Sequence, residues 1–470
     1  MTTALDIPPH PSTRAADHGL RTDIDWPAVA RDLAGLNLLT DARSRQQLSR
    51  DFYWYSPALA AHLDGCRADL VVRTSTEADV IQVARVAARH RAPLTVRGGG
   101  TGNYGQCVPL VGGLVLDVTG MMRVLDLQPG RLTAQCGARM FDLEMAARET
   151  GQALKMWPST WRVATIAGFI AGGFGGIGST AHGVLRDEGN LIRCRVVTVE
   201  PEPRVIELHG ADIQKVHHAY GTNGIITEVE VALAPAVDWV HTIALFPRYR
   251  AVLDAAAEAS RATESFLMSA VDARFAPFYG ALREHFPGGR HALFAMIAPG
   301  SMGEWRRLVA ERGGEVTLAM SEAELEAAGL PPAYECAYNH TTLQALKADR
   351  SWTYLQVAYP QPFDPAIVER HLERFGDEVW QHQEFARMYG QHATFGLLLA
   401  KWQGLERQYE LIRSIESDGC TIFNPHVMTI EDGGMKTIDT AQIEFKKRAD
   451  PLGLMNPGKT RGWHPSMARG

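Results

Sequence analysis

From residue 68 onward, apolar positions fall into short β-type runs and helical stripes that alternate along the chain. Asp69-Leu-Val-Val-Arg73 predicts a strand. Thr76 with Asp79 three residues later forms a capping box, and Val80, Val83, Ala84 and Ala87 recur on one stripe after it, which predicts a helix. A strand over 94–97 then runs straight into a glycine loop. Beyond the loop, 114–118 reads as a strand, while 124–128 and 132–135 flank Pro129-Gly130 as a hairpin. A helix over 140–150 ends at Gly151, a residue suited to a left-handed cap. The runs 192–200 and 204–208 predict a second hairpin, turning at Pro201-Glu-Pro203. Residues 225–233 alternate like a half-buried strand, and Ala234-Pro-Ala236 marks a boundary.

After residue 236 the rhythm changes. Strands over 240–246, 265–269, 291–297 and 352–359 alternate with helices near 251–261, 272–283, 304–312, 366–375 and 405–417. This order predicts an α+β domain around a mainly antiparallel sheet. Residues 1–66 read as an irregular, partly helical lead-in that ends in the aromatic cluster Phe52-Tyr-Trp-Tyr55, a surface flap on the main body.

At 470 residues, with 46% hydrophobic and 21% charged positions, the chain exceeds the size at which single cores stop growing, so two or three domains are expected. The net charge of -6 comes without any basic block, which argues against nucleic acid as a partner. Six cysteines stand singly, as suits a reducing cytoplasm, and the polar, proline-broken N-terminus has no secretory signal pattern. Residues 164–183 carry no formal charge and contain Gly168-x-x-x-Gly172, yet seven of the twenty are glycine. Each interior glycine costs a helix about 0.5–1 kcal/mol relative to alanine, so a buried turn-rich loop is expected there rather than a membrane span.

Two glycine stretches hold the strongest chemical signal. Each contains a literal Gly-x-Gly-x-x-Gly, over 100–105 and 173–178, the pattern of nicotinamide-binding domains. That reading requires a helix N-terminus directly after the glycines to hold the pyrophosphate. Gly105 is followed by Gln-Cys-Val-Pro109 and a strand, and Gly178 by Ser-Thr-Ala-His-Gly183 with no helical period, so neither context fits. A long cofactor lying along both loops, such as FAD, suits them better. Main-chain N–H groups of a glycine loop can close around an anion.

In Pro93-Leu-Thr-Val-Arg-Gly-Gly-Gly-Thr-Gly102, Thr165-Ile-Ala-Gly168, Gly221-Thr-Asn-Gly-Ile-Ile-Thr-Glu228 and Asp450-Pro-Leu-Gly-Leu-Met-Asn-Pro-Gly-Lys459 the chain resembles the FAD-binding PCMH-type fold of the vanillyl-alcohol oxidase and p-cresol methylhydroxylase superfamily, nearest the glycolate oxidase and D-lactate dehydrogenase type. The resemblance implies a split FAD-binding domain over 67–236, a substrate or cap domain over 237–440, and a segment over 441–470 that returns to the FAD domain. It implies FAD contacts from Arg97, Gly98, Gly99, Gly100, Thr101, Gly102 and Asn103, then from Pro158, Ser159, Thr165, Ile166, Gly168, Gly172, Gly175, Ser179 and His182. Gly224, Ile226, Asn456 and Lys459 complete the set. Members with histidyl-linked flavin carry His where Thr101 stands, so non-covalent FAD is expected. The His-x-Gly-Asp-Gly-Asn-x-His pattern of metal-dependent 2-hydroxy-acid members has no counterpart, and no metal is expected.

Flavin oxidation needs a group to take the substrate's hydroxyl proton and groups to orient the substrate. His426 after the Asn424-Pro425 turn and His340 in Tyr338-Asn-His-Thr-Thr342 are candidates, each with a structural alternative. Strand spacing in 382–392 allows Arg387 and Tyr389 on one face toward a pocket, where arginine would pair with a carboxylate, with mere exposure on an edge strand as the commoner outcome. Trp54, Trp157 and Trp161 are candidate pocket walls. The expected protein is a cytoplasmic FAD-linked oxidase or dehydrogenase of a small hydroxylated substrate, passing electrons to oxygen, a quinone or a carrier protein, with a homo-oligomer compatible. A nicotinamide-dependent dehydrogenase and a non-catalytic FAD-binding subunit stand as alternatives.

Overall fold

The computed structural model describes residues 20, 21, 23–435 and 437–463, so the N-terminal nine residues read above for a signal lie outside it. Its first sheet contains β1 (Asn37–Leu39), β2 (Leu70–Arg73), β3 (Leu94–Arg97) and β4 (Leu114–Asp117) in the order β1-β2-β4-β3. β4 lies parallel to both β2 and β3. Parallel neighbours need a crossover, which the helix Glu77–His90 supplies. Its capping box forms between Thr76 and Asp79, and Val80, Val83, Ala84 and Ala87 are fully buried.

The second sheet holds β5 (Val124–Gln128), β6 (Arg131–Gln135), β7 (Gln152–Leu154), β8 (Leu191–Val197), β9 (Val205–His209) and β10 (Ile225–Pro235). β10 sits between β6 and β8, and both predicted hairpins form.

The third sheet has nine strands: β11 (Val240–Phe246), β12 (Ser265–Val271), β13 (His291–Ile297), β14 (Glu315–Met320), β15 (Trp352–Ala358), β16 (Val379–Trp380), β17 (His382–Met388), β18 (Gln391–Lys401) and β19 (Thr421–Phe423). All its pairings are antiparallel. Alternation along β13 sorts its side chains between two cores. Ala292, Phe294 and Met296 join the core shared with the smaller sheets, while Leu293, Ala295 and Ile297 pack under the helices Tyr249–Ala262 and Met302–Glu311. Full burial of one such large apolar side chain contributes about 1.5–3 kcal/mol, so this sheet is a wall fixed from both faces.

The chain then returns to where it began. After the helix Thr440–Ala449, Leu94 N donates to Leu454 O and Asn456 N donates to Leu94 O, both at 2.8 Å, which lays residues 454–456 beside β3. Lys446 and Asp450 form a buried ion pair at 2.8 Å that holds the turn before this segment.

Local expectations fail at four places. The stretch 164–183 forms two short helices, Ile166–Gly172 and Ser179–His182, rather than a loop. Thr165 caps the first by accepting from Gly168 N, which offsets the poor helix propensity of its glycines. The helix expected near 272–283 is a pair of 3₁₀ turns, Ala273–Phe278 and Gly280–Leu282, because Pro277 removes a main-chain donor and Gly280 follows at once. The lead-in contributes an edge strand, β1, antiparallel to β2. Its aromatic cluster is no surface flap either: Tyr53 and Tyr55 are buried, the latter edge-on to Tyr354 with ring centroids 5.9 Å apart.

Candidate functional site

Between the two smaller sheets and the large one lies a cavity of about 350 Å³, adjoined by a second of about 450 Å³ near the loop that follows β3. Residues 98–103 form one rim. None of their six main-chain N–H groups donates to an acceptor among the described residues. Successive main-chain donors on a glycine loop at a cavity rim can form an anion-binding concavity, so a run of six suits an anionic ligand. The glycines are required by packing as well. A Cβ on Gly98 would stand 2.1 Å from Thr165 Oγ1, and one on Gly99 would stand 2.3 Å from Val163 O. Gly100 has φ +64° and lies directly over the Arg97 guanidinium.

The support beneath this loop is cationic. Arg97 Nη1 donates to Arg50 O, and Lys459, fully buried, donates to Gly105 O at 2.5 Å. Asp51 lies between these cations with one carboxylate oxygen taken by Tyr53 N and the other buried without a partner. Burial pushes the Asp51 carboxyl up to about 6 against the pull of Lys459 and Arg97, and brings the Lys459 ammonium down to about 8.

The second rim is the helix Ile166–Gly172 with the loop behind it. Gly172 closes that helix at an ordinary backbone angle, and a Cβ there would meet nothing nearer than Gln106 at 3.8 Å. Alanine would serve a helix better, so the missing Cβ leaves room for a ligand rather than for protein. Ser179 Oγ accepts from Gly176 N and keeps the loop folded onto the following turn. A third rim, 221–226, contains Gly224, whose φ of +91° and approach to Val196 admit only glycine. The lining fits an FAD-type ligand: three main-chain edges border one cavity, with donors free at one of them.

The opposite wall consists of side chains. Tyr104 Oη donates to Gln356 Oε1 at 2.5 Å and lies 3.3 Å from Phe423 O. Phe174 meets Phe395 and Phe423, each with ring centroids 6.3 Å apart. Tyr338, at φ +49°, donates from its hydroxyl to Gly176 O and from its main-chain N to Glu384.

Most of the residues expected from the sequence gather here. Gly98, Gly99, Gly100, Thr101, Gly102, Asn103, Pro158, Ser159, Thr165, Gly168, Gly172, Gly175, Ser179, Gly224, Ile226 and His340 line the cavity. Arg97 lines the adjoining one, while Asn456 and Lys459 lie behind the wall, the former donating to Gln106 O and Tyr220 O. Ile166 and His182 are not in the lining; His182 packs edge-on to Phe266, and burial lowers its imidazole to about 4. His340 Nδ1 is 2.8 Å from Glu335 Oε2, an ion-pair distance without hydrogen-bond alignment.

The other catalytic candidates lie elsewhere. His426 is buried with Nδ1 2.7 Å from Ser56 Oγ and Nε2 3.1 Å from Tyr354 O, so both nitrogens serve the protein. Arg387 and Tyr389 do not share a pocket face, because β17 ends at Met388. Tyr389 occupies the hairpin turn at φ +53° and is 61% exposed. Trp157 and Trp161 stack on one another, centroids 4.6 Å apart, as core rather than lining. Trp54 holds Arg350 over its ring face.

Sequence reading missed the wall itself, Tyr104, Phe174, Gln356, Phe395 and Phe423, together with Asp51, His218 and Tyr220. The last two stand just before the Gly221 segment, and that proximity was the available signal.

Residues 68–207 match the FAD binding domain family. The glycolate oxidase subunit GlcD of Bacillus subtilis is 29% identical over 204 residues, covering 40% of this chain and 41% of that protein. A D-lactate dehydrogenase of Anaerostipes hadrus is 30% identical over 179 residues, 36% of each chain. The chain thus aligns with about two fifths of the length of these curated relatives. Two solved structures extend the likeness to the whole fold. An alkyldihydroxyacetonephosphate synthase superposes with a TM-score of 0.69 at 15% identity, covering 98% of this chain and 89% of that one. A Physcomitrella patens BBE-like 1 variant superposes with a TM-score of 0.63 at 14% identity, over 93% of this chain and 99% of that one. The chain therefore matches the FAD binding domain family over residues 68–207 and shares its overall, PCMH-type fold with these two structures.

Proposed function

We propose that this protein is an FAD-dependent oxidoreductase of the glycolate oxidase and D-lactate dehydrogenase type, oxidising a small hydroxylated organic substrate by hydride transfer. The observation that carries the reading is the run of six unpaired main-chain donors over 98–103, set at the rim of a cavity whose far wall belongs to a different sheet. The amides of 98–103 hold the cofactor's pyrophosphate, with Arg97 and Lys459 beneath them raising the local potential. Gly168, Gly172 and Gly175 leave space along the second rim, and Gly224 and Ile226 border the third. When bound, FAD supplies a two-electron acceptor at its ring. The wall of Tyr104, Gln356, Phe395 and Phe423 excludes water from that region and offers an amide and a phenol to orient a substrate hydroxyl. Thr101 has a hydroxyl where histidyl-linked members carry the tethering imidazole, so the cofactor is held without that covalent bond there.

The described residues contain no helix long and apolar enough to cross a membrane. The onward acceptor for electrons is oxygen, a quinone or a carrier protein. Purified protein is expected to show flavin absorbance, to release its flavin into the soluble fraction on acid precipitation, and to bleach anaerobically with one class among hydroxy acids, alcohols and phenols. A colourless preparation that does not take up added FAD defeats the reading; a yellow acid pellet defeats the non-covalent attachment alone.

A further inference from the structure

The proposed reaction needs a group that takes the substrate's hydroxyl proton, and neither His426 nor Tyr389 lies where it can do so. Most titratable side chains in the cavity lining already have partners. Tyr104 donates to Gln356, Tyr338 donates to Gly176 O, and His340 stands beside Glu335. His218 differs from them. Neither of its ring nitrogens has a hydrogen-bond partner among the described residues, and Nδ1 is wholly buried. Its ring is held by edge contacts to Phe174 and Tyr220, centroids 6.3 and 5.3 Å apart, rather than by a carboxylate.

The backbone around it is also set for a purpose. His218 has φ +50° and Tyr220 has φ +51°, left-handed conformations that non-glycine residues seldom adopt and that gather at functional sites. The segment is clamped in this form: His218 N donates to Ile170 O and Tyr220 N to Ala171 O, both at 2.9 Å, and Asn456 Nδ2 donates to Tyr220 O. The two anchoring carbonyls belong to the helix that forms the second glycine rim, so the imidazole is fixed relative to that rim.

We propose that His218, oriented by Tyr220 and Phe174, is the proton acceptor for the substrate hydroxyl. The inference rests on the oxidoreductase reading above. In the step it performs, the O–H bond breaks and its proton moves to the bare ring nitrogen of His218, leaving the electron pair on oxygen. That pair forms the carbonyl as the C–H bond breaks and its hydride passes to flavin. Carbon is oxidised by two electrons, flavin is reduced by two, and His218 later returns the proton to solvent. Burial, with Arg186 nearby, lowers the His218 imidazole to about 4, so the neutral, accepting form is present at neutral pH. The other groups facing it are His217, also held neutral by burial, and the Tyr220 phenol.

The test uses the FAD-loaded full chain and His218→Asn, chosen because asparagine tolerates left-handed backbone. Expected are unchanged flavin content and anaerobic flavin reduction slower by on the order of 10²–10⁴-fold. Reduction at the wild-type rate overturns the proposal. So does a variant that loses flavin yet reduces normally after reconstitution, which would assign His218 to holding the cofactor. Histidine-selective NMR gives a second readout that does not depend on turnover: benzyl alcohol or phenol added to the wild-type protein should move the His218 ring resonances. No movement with either probe also overturns it. If no substrate bleaches the wild-type flavin while the resonances do move, the oxidoreductase reading fails and the hydroxyl-binding role of His218 stands.

Discussion

The two sides of the cavity are built by opposite means. The cofactor side is main chain: three glycine-bearing segments whose amides, positive φ values and missing Cβ atoms define the shape. The facing wall is side chain: Gln356, Phe395 and Phe423 from strands of the large sheet, met by Tyr104 and Phe174, which project from the two glycine stretches themselves. A main-chain site depends on residues that permit a conformation, and those residues stand next to one another in sequence. A side-chain site depends on residues that meet only after folding. The first kind tolerates little change at any position, while the second can be rebuilt one side chain at a time, which is how one fold comes to serve many chemistries.

This contrast predicts that Gly99→Val does the greatest damage. Its Cβ would lie 2.3 Å from Val163 O, so the loop must move and the six donors lose their arrangement. Flavin should be absent from the purified variant, and far-UV circular dichroism should stay near wild type because the large sheet has its own core under its helices. Retained flavin would show that the loop amides are not the cradle.

A side-chain change outside the lining should act on stability alone. His426→Ala removes buried bonds to Ser56 and Tyr354 O and should lower unfolding free energy by about 2 kcal/mol, read by urea titration, with flavin reduction unaltered. The pH dependence carries a sign. Burial lowers the His426 imidazole from 6.5 to about 4, so its contribution is complete above pH 6.5 and is lost as pH falls toward 4, while the unfolded chain takes up the proton. The variant should therefore lose stability less steeply than wild type across that window. A slowed flavin reduction would instead return His426 to the chemistry.

The smallest effect is expected at Tyr389→Phe. The side chain is 61% exposed in a hairpin turn, so stability should stay within about 0.5 kcal/mol of wild type and substrate reduction should not change. A substantial loss of rate would mean that this hairpin approaches the cavity during turnover.

The same contrast explains what could be read from the sequence. Most strands and both hairpins between 68 and 236 were legible because apolar alternation and turn residues are local signals, and the glycine loops because they are a main-chain pattern, whereas the three-residue strands β1 and β7 were too short to show. The two short helices at 166–172 and 179–182 were not, since glycine argues against helix and only Thr165 capping and tertiary packing override it. The Arg387 and Tyr389 expectation failed for a related reason. Strand periodicity was right as far as Met388, and nothing local besides Gly390 announced the turn. His218 lay unnoticed beside a recognised glycine, because a partnerless imidazole is defined by what surrounds it in space.

The junction of Lys459 with Gly105 has a consequence for how the protein is made. These residues are 354 positions apart, and Leu454 and Asn456 complete the hydrogen bonding of β3 from the same late segment. Chain growing from a ribosome produces the glycine loop long before the cation and the backbone that support it. The hydrogen bonds that brace this loop and β3 must then wait until residues 454–459 have emerged. Such a distant closure also slows folding, since loop entropy is spent before the contact forms. Free FAD present during refolding should for this reason act late, locking a domain whose ends have already met.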